Sequence, residues 1–320
     1  MDNLLIDPRH PIETGMYRIF TPAMDKLARQ IAEWIKDKVT GAYIFGYSRL
    51  GKSSAVEYYL RELLSERFGG GPVPLMFYTH DSLVKGNTKA LWDSIIAQNN
   101  ISIPPRTRGG IGIFNLLLNS CVALARNCGV HYVALIVDEA QELSAAHWRW
   151  LKDFETRLGK LKISLMTYSI ASHQLKHQQD VMARTDDYHI AARMFEKRWA
   201  YPGIESVEEI EFVLQGYDMD SEWPVGGPSY FAYYAPHLFA SGKRLAQSAK
   251  EFWEALMSCL PKIFKSNPSF PMKHIARAVE RQLQRLAAGD DWDDVVCVAG
   301  WESSLRHVDL PEHMKSVSQY

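Results

Sequence analysis

Short, almost continuous apolar runs alternate with stretches of helical spacing over the first two hundred residues. The runs 42–45, 73–78, 132–137 and 163–167 are too short for helices and are bounded by turn or polar residues, so they read as buried strands. The segments 24–38, 54–67, 88–98, 114–127 and 145–158 carry apolar residues at helical spacing. Gly69-Gly70-Gly71-Pro72 stops the second of them, and Gly129 the fourth. Strands alternating with helices predict an α/β fold with a mostly parallel sheet covered by helices on both faces. After about residue 205 the strand-like runs cease, and 207–215, 230–240, 244–260 and 272–288 all have a helical pattern. The expected organisation is an N-terminal extension over 1–40, an α/β core over 41–204, a small helical lid over 205–288 and a tail over 289–320. The start of that tail is acidic, with Asp290, Asp291, Asp293 and Asp294.

Composition narrows the chemistry only a little. Of 320 residues, 47% are hydrophobic and 23% charged, as in ordinary globular proteins. Basic and acidic residues nearly cancel (36 against 37), so any nucleic-acid surface must be a local patch. Cys121, Cys128, Cys259 and Cys297 form no C-x-x-C pair, which favours reduced thiols over a disulfide framework or a zinc site. No unbroken apolar run reaches about 18 residues, and the N-terminus does not read as a secretory signal. A cytoplasmic protein with no membrane association is expected.

One motif carries specific chemistry. Gly46-Tyr47-Ser48-Arg49-Leu50-Gly51-Lys52-Ser53 fits G-x-x-x-x-G-K-[ST] and lies between a strand and a helix, the context a phosphate-cradling loop needs. Backbone N–H groups from Gly46 through Ser54, including those of Ser48, Arg49 and Leu50, would point at a nucleotide's phosphates. Lys52 would neutralise the β- and γ-phosphates, and the Ser53 hydroxyl would complete a Mg²⁺ shell. Leu135-Ile136-Val137-Asp138-Glu139 is an apolar strand delivering two carboxylates at its C-terminal end, where ligands of parallel sheets sit. Asp138 would hold Mg²⁺, and Glu139 would orient or deprotonate the water that attacks the γ-phosphate. The combination predicts ATP hydrolysis with ATP and Mg²⁺ as cofactors. The fourth strand, Ile163-Ser164-Leu165-Met166-Thr167-Tyr168-Ser169, ends in hydroxyls, so Thr167 or Ser169 could position that water. Arg193 could reach the nucleotide of a neighbouring subunit, and Arg244 could reach bound phosphates from the lid.

Together these motifs resemble AAA+ ATPases, and in particular the bacterial transposition ATPases of the TnsC/TniB type, over roughly residues 41–260. Beyond the two Walker motifs, Val137-Asp138-Glu139-Ala140-Gln141-Glu142-Leu143 is similar to the family's acidic strand end. Ser169-Ile170-Ala171-Ser172-His173-Gln174-Leu175 stands in the place of its G-T/Q-P-E-L, and Ala192-Arg193-Met194-Phe195 in the place of G-R-F-M. Tyr201-Pro202-Gly203-Ile204-Glu205-Ser206 looks like the turn into the lid, and Gly242-Lys243-Arg244-Leu245 like its arginine motif. His173 for proline and Ala192 for glycine depart from the pattern. The resemblance implies homo-oligomers, ring or filament, assembled on duplex DNA in an ATP-dependent way, linking a TniQ-like target-selection protein to a transposase. A helicase loader, or a signalling ATPase that switches protein contacts without DNA, is the alternative. Lys85, Lys89, Arg106 and Arg108 are the candidate phosphate contacts. Arg277, Arg281 and Arg285 repeat along one helical face and read as a solvated stripe.

Overall fold

A computed structural model describes residues 6–80, 87–105, 109–185 and 187–318. By internal contacts the chain divides into two units. The first comprises residues 26–47 and 52–201; the second comprises residues up to Asp25, Ser48–Gly51 and residues 202–320.

The first unit is built on five parallel strands in the order β2-β3-β4-β1-β5. They are β1 Gly41–Phe45, β2 Leu75–Thr79, β3 Tyr132–Asp138, β4 Ser164–Ala171 and β5 Lys197–Ala200. Four match the apolar runs. β5 went unpredicted because Lys-Arg-Trp-Ala is polar and largely exposed. An edge strand buries little side chain and is made by backbone pairing with β1.

Helices cover both faces. On one, Tyr43, Met76, Leu135, Val137 and Leu165 pack against Trp92, Leu117, Trp148, Leu151 and Leu175. On the other, Trp34 of the helix Pro22–Lys36 meets Tyr168, and Arg61 of the helix Leu60–Arg67 lies over Phe77. The helix Gly109–Asn127 is long and apolar enough to cross a membrane by length and composition. Here it packs Ile113, Leu117, Cys121 and Ala125 into the core of this unit.

The second unit is helical. Its core gathers Val213, Tyr217, Phe231, Phe252, Leu256, Ile275, Val279 and Leu283. The expected helix over 230–240 is two, Tyr230–Tyr234 and Pro236–Ala240, because Pro236 cannot donate the backbone bond that would continue the first. Residues 289–318 are not an irregular tail. They form the helices Trp292–Val296, Val298–His307 and Leu310–Val317, which place Trp292, Val295, Trp301, Leu305, Leu310 and Met314 in the same core. The acids at their start cap a helix: the Asp291 carboxylate accepts from the Asp293 N–H at 2.9 Å. Residues 6–25 also belong here, through Ile12 and Ile19, so the segment expected as an N-terminal extension contributes to both units.

Candidate active site

β1 ends at Phe45 and the chain turns through Gly46–Gly51 before the short helix Lys52–Ser54. The turn needs left-handed backbone at Arg49 (φ 70°) and Gly51 (φ 101°), and the second is a value that side chains rarely adopt. A π-helical turn, Ala55–Tyr59, follows directly. The Lys52 ammonium donates to the carbonyls of Gly46 (2.8 Å) and Tyr47 (2.6 Å), so it lies inside the curl of its own loop. Burial draws its pKa down to about 8, while the carboxylates of Asp138 and Glu139 pull the other way.

β3 delivers Asp138 to the same sheet edge. Asp138 is 7% exposed, and burial raises its pKa. Hydrogen bonds from the Ser53 hydroxyl and the Glu139 N–H, the latter at 2.9 Å, oppose that rise. The loop serine and the strand aspartate, 85 positions apart in sequence, are thus brought close enough for the hydroxyl to influence the carboxylate. A hydroxyl and one carboxylate side by side suit Mg²⁺, which keeps several waters and takes few protein ligands beside substrate phosphates. Among the described residues there is no cluster of three or more His, Cys, Asp or Glu that would hold a metal unaided.

Glu139 follows Asp138 in the left-handed region (φ 53°), which is strained for a side-chain-bearing residue. The Gln141 side-chain amide donates to its carboxylate at 2.5 Å. Gln141 is itself fixed, for its Oε1 accepts from the Ser172 N–H (3.0 Å) and its carbonyl accepts from Gln178 Nε2 (2.5 Å). In the sequence Gln141 stands only as one member of the acidic strand-end motif, with no role attached to it. The signal was its position, two residues after a strand-end glutamate.

The water-positioning expectation for Thr167 and Ser169 does not fit the register. β4 continues to Ala171, past the predicted end. Thr167 lies opposite Leu135 and Ser169 opposite Val137, so both share the face of those apolar residues and point away from the face of Asp138. Both are buried, and the Ser169 hydroxyl has no hydrogen-bond partner among the described residues. The polar group at the β4 end is Ser172.

The remaining predicted residues are placed as follows. Ser48 is exposed, Leu50 buried and Ser54 half-buried. Within the second unit, the Arg49 carbonyl accepts from the Lys273 N–H (3.2 Å), and its guanidinium is 3.3 Å from His274 Nε2. Arg193 is half-exposed and lies 3.5 Å from the Glu155 carboxylate of its own chain. Arg244 donates to the carbonyls of Phe239 (2.9 Å) and Lys243 (2.6 Å) and stacks 3.6 Å over the Phe239 ring, so its donors serve its own turn. Lys89 is exposed and paired with Asp93 one helical turn on. Lys85, Arg106 and Arg108 lie outside the described residues. In the arginine stripe, Arg277 faces Glu280 and Arg285 pairs with Asp290.

No family model and no curated protein matches this sequence. Among solved structures, the chain is similar to the ORC2 protein of Aeropyrum pernix in its ADPNP–ADP complexes, with a TM-score of 0.55 and 14% identity. That match covers 89% of this chain and 66% of the other. The ADP form of the same protein gives a TM-score of 0.51 at 13% identity, covering 91% and 68%. This chain therefore spans about two thirds of that protein's length. The fold is that of this ORC2 protein. In the sheet-bearing unit, Gly46 after β1 and Asp138 and Glu139 at the end of β3 lie at the C-terminal edge of the parallel sheet, the edge where ligands of such sheets bind.

Proposed function

We propose that this chain is an ATP-hydrolysing AAA+ regulator of transposition that oligomerises on duplex DNA and links target selection to a transposase. The observation that carries the ATPase part is the placement of the G-x-x-x-x-G-K-S loop after β1 and of Asp138-Glu139 after β3 at one edge of the parallel sheet, with Lys52 held in the loop and the Glu139 N–H bonded to the Asp138 carboxylate. The loop amides and Lys52 bind and orient the phosphates. Ser53 and Asp138 would hold Mg²⁺, which supplies charge stabilisation on the phosphate oxygens. Glu139 accepts a proton from the attacking water as the bond between the γ-phosphorus and its bridging oxygen breaks, giving ADP and phosphate. The DNA, transposase and TniQ-like partners rest on the sequence resemblance over residues 41–260. In this reading Arg193 leaves Glu155 and serves the nucleotide of the neighbouring subunit, so that ATP holds the oligomer together and hydrolysis loosens it.

Glu139→Gln tests both parts. It keeps the side chain's size and removes the base, so hydrolysis is expected to fall by about 10²–10⁴-fold while ATP binding persists. Electron microscopy with ATP or ADP, with and without duplex DNA, should then show a longer-lived ATP-dependent assembly on DNA. A folded, ATP-binding Glu139→Gln protein that never assembles on duplex DNA overturns the reading. One observation favours a protein-interaction switch acting without DNA: Lys89, the described member of the basic set, is already neutralised by Asp93.

A further inference from the structure

We propose that Gln141 is a positioning residue for Glu139, holding its carboxylate in one direction from a brace anchored at the end of β4. The proposal rests on the ATPase reading of the site.

The chemistry of the amide fixes the arrangement. The Ser172 backbone N–H can only donate, so the Gln141 atom facing it must be the oxygen. The amide nitrogen is then left facing Glu139, where it donates to Oε2. A second tie, from Gln178 Nε2 to the Gln141 carbonyl, holds the short turn Ala140–Glu142 that carries the residue. Glu139 is constrained from its other side too. Its N–H is taken by the Asp138 carboxylate, and its backbone is held in a left-handed conformation that a glutamate adopts only when its surroundings impose it. Oε2 is engaged by Gln141, which leaves Oε1 to receive a proton.

The bonds of the brace are made outside the phosphate loop, although His173, next to Ser172, packs against Tyr47 of that loop at 4.4 Å between ring centroids. Ser172 follows β4 and Gln178 lies on the helix Gln174–Ala183. The next residue of that helix, Gln179, accepts from the Tyr43 hydroxyl at 3.0 Å and donates to the Phe195 carbonyl at 3.5 Å, one residue past the helix that bears Arg193. The direction of Glu139 is therefore set by the same helix that contacts the Arg193 segment, while nucleotide affinity is set by the loop. Because the bonds of Gln141 itself do not involve the loop, removing its side chain should disturb hydrolysis more than binding.

The test uses the full chain. Gln141→Ala should lower kcat for ATP hydrolysis by about 10–100-fold, the loss expected from a misplaced catalytic group, with mant-ATP affinity changed less than about 2-fold. Gln141→Glu keeps the side chain's length but cannot donate to Glu139, so it should lose kcat to the same extent. In a Glu139→Ala background, Gln141→Ala should cost nothing further, because it acts through Glu139. A wild-type kcat in either Gln141 variant, or a loss of affinity that accounts for the whole defect, overturns the proposal. If the wild-type protein proves not to hydrolyse ATP, the ATPase reading fails on its own. The contact is then read by nuclear magnetic resonance: the Gln141 side-chain amide signal must move in Glu139→Ala, and an unmoved signal overturns the brace.

Discussion

Lys52 shows how a single residue ties stability to ligand binding. Its folded pKa of about 8 lies below the ordinary 10.5 because burial penalises the ammonium. Between those values the unfolded chain binds more protons than the folded one, so this group's contribution to stability rises as pH climbs from about 8 to about 10.5. Below 8 the full penalty is present. A Lys52→Met variant should therefore lack that rise, which thermal unfolding at pH 7.5, 8.5 and 9.5 would reveal. A bound polyphosphate favours the charged form, so nucleotide binding near pH 8.5 should take up a fraction of a proton. Isothermal titration in buffers of different ionisation enthalpy measures it directly, and zero uptake would mean that Lys52 does not meet the phosphates. Lys52, Ser53, Asp138 and Glu139 were legible at this scale, because a fixed spacing and a strand end specify them. Gln141 was not legible as a functional residue, since its importance lies in bonds to Ser172 and Gln178, 31 and 37 positions away.

At the scale of elements, the start of β1 shows why a glycine leads into the phosphate-loop strand. A Cβ on Gly41 would come within 1.8 Å of the Arg193 carbonyl oxygen, a backbone atom that cannot turn aside. The helix Tyr188–Met194 is thus seated directly on β1. Gly41→Ala should cost at least about 1–3 kcal/mol of stability, the range for overpacking, measured by urea unfolding. It should also displace the Arg193 segment, weakening ATP-dependent self-association in sedimentation more than ATP binding. Elements whose apolar period is strong were readable. The helices Thr88–Gln98 and Ala145–Lys160 were expected with the same start, and the second runs only two residues beyond its expected end. The helices Gln174–Ala183 and Tyr188–Met194 and the strand β5 were not expected. Gln174–Ala183 buries only Leu175 and Met182, Tyr188–Met194 buries Ile190, Ala191 and Met194 but is just seven residues long, and β5 buries no side chain, so none of the three sets a readable period.

For the whole molecule, the sharpest consequence concerns the last thirty residues. Trp301 stacks on Phe252 at 3.9 Å between ring centroids, and both are buried in the helical unit. A chain ending at residue 288 would expose that ring and leave the places of Leu305, Leu310 and Met314 unfilled. Loss of one large core side chain alone costs about 3–5 kcal/mol, so the truncated protein should lose cooperative unfolding of this unit, as followed by calorimetry. Unchanged unfolding would show that these helices are dispensable. The sequence by itself determined the strand–loop–helix motif, the apolar strand ending in two acids and the change from alternating to helical character near residue 205, because each is a local pattern with a local cause. Only the tertiary structure decided that β5 completes the sheet, that Thr167 and Ser169 face away from Asp138, and that the acidic C-terminal segment is core. Those outcomes depend on strand register, edge pairing and long-range burial, where the energy comes from partners far outside the local window: Val137 for Ser169, Phe252 for Trp301 and β1 for β5.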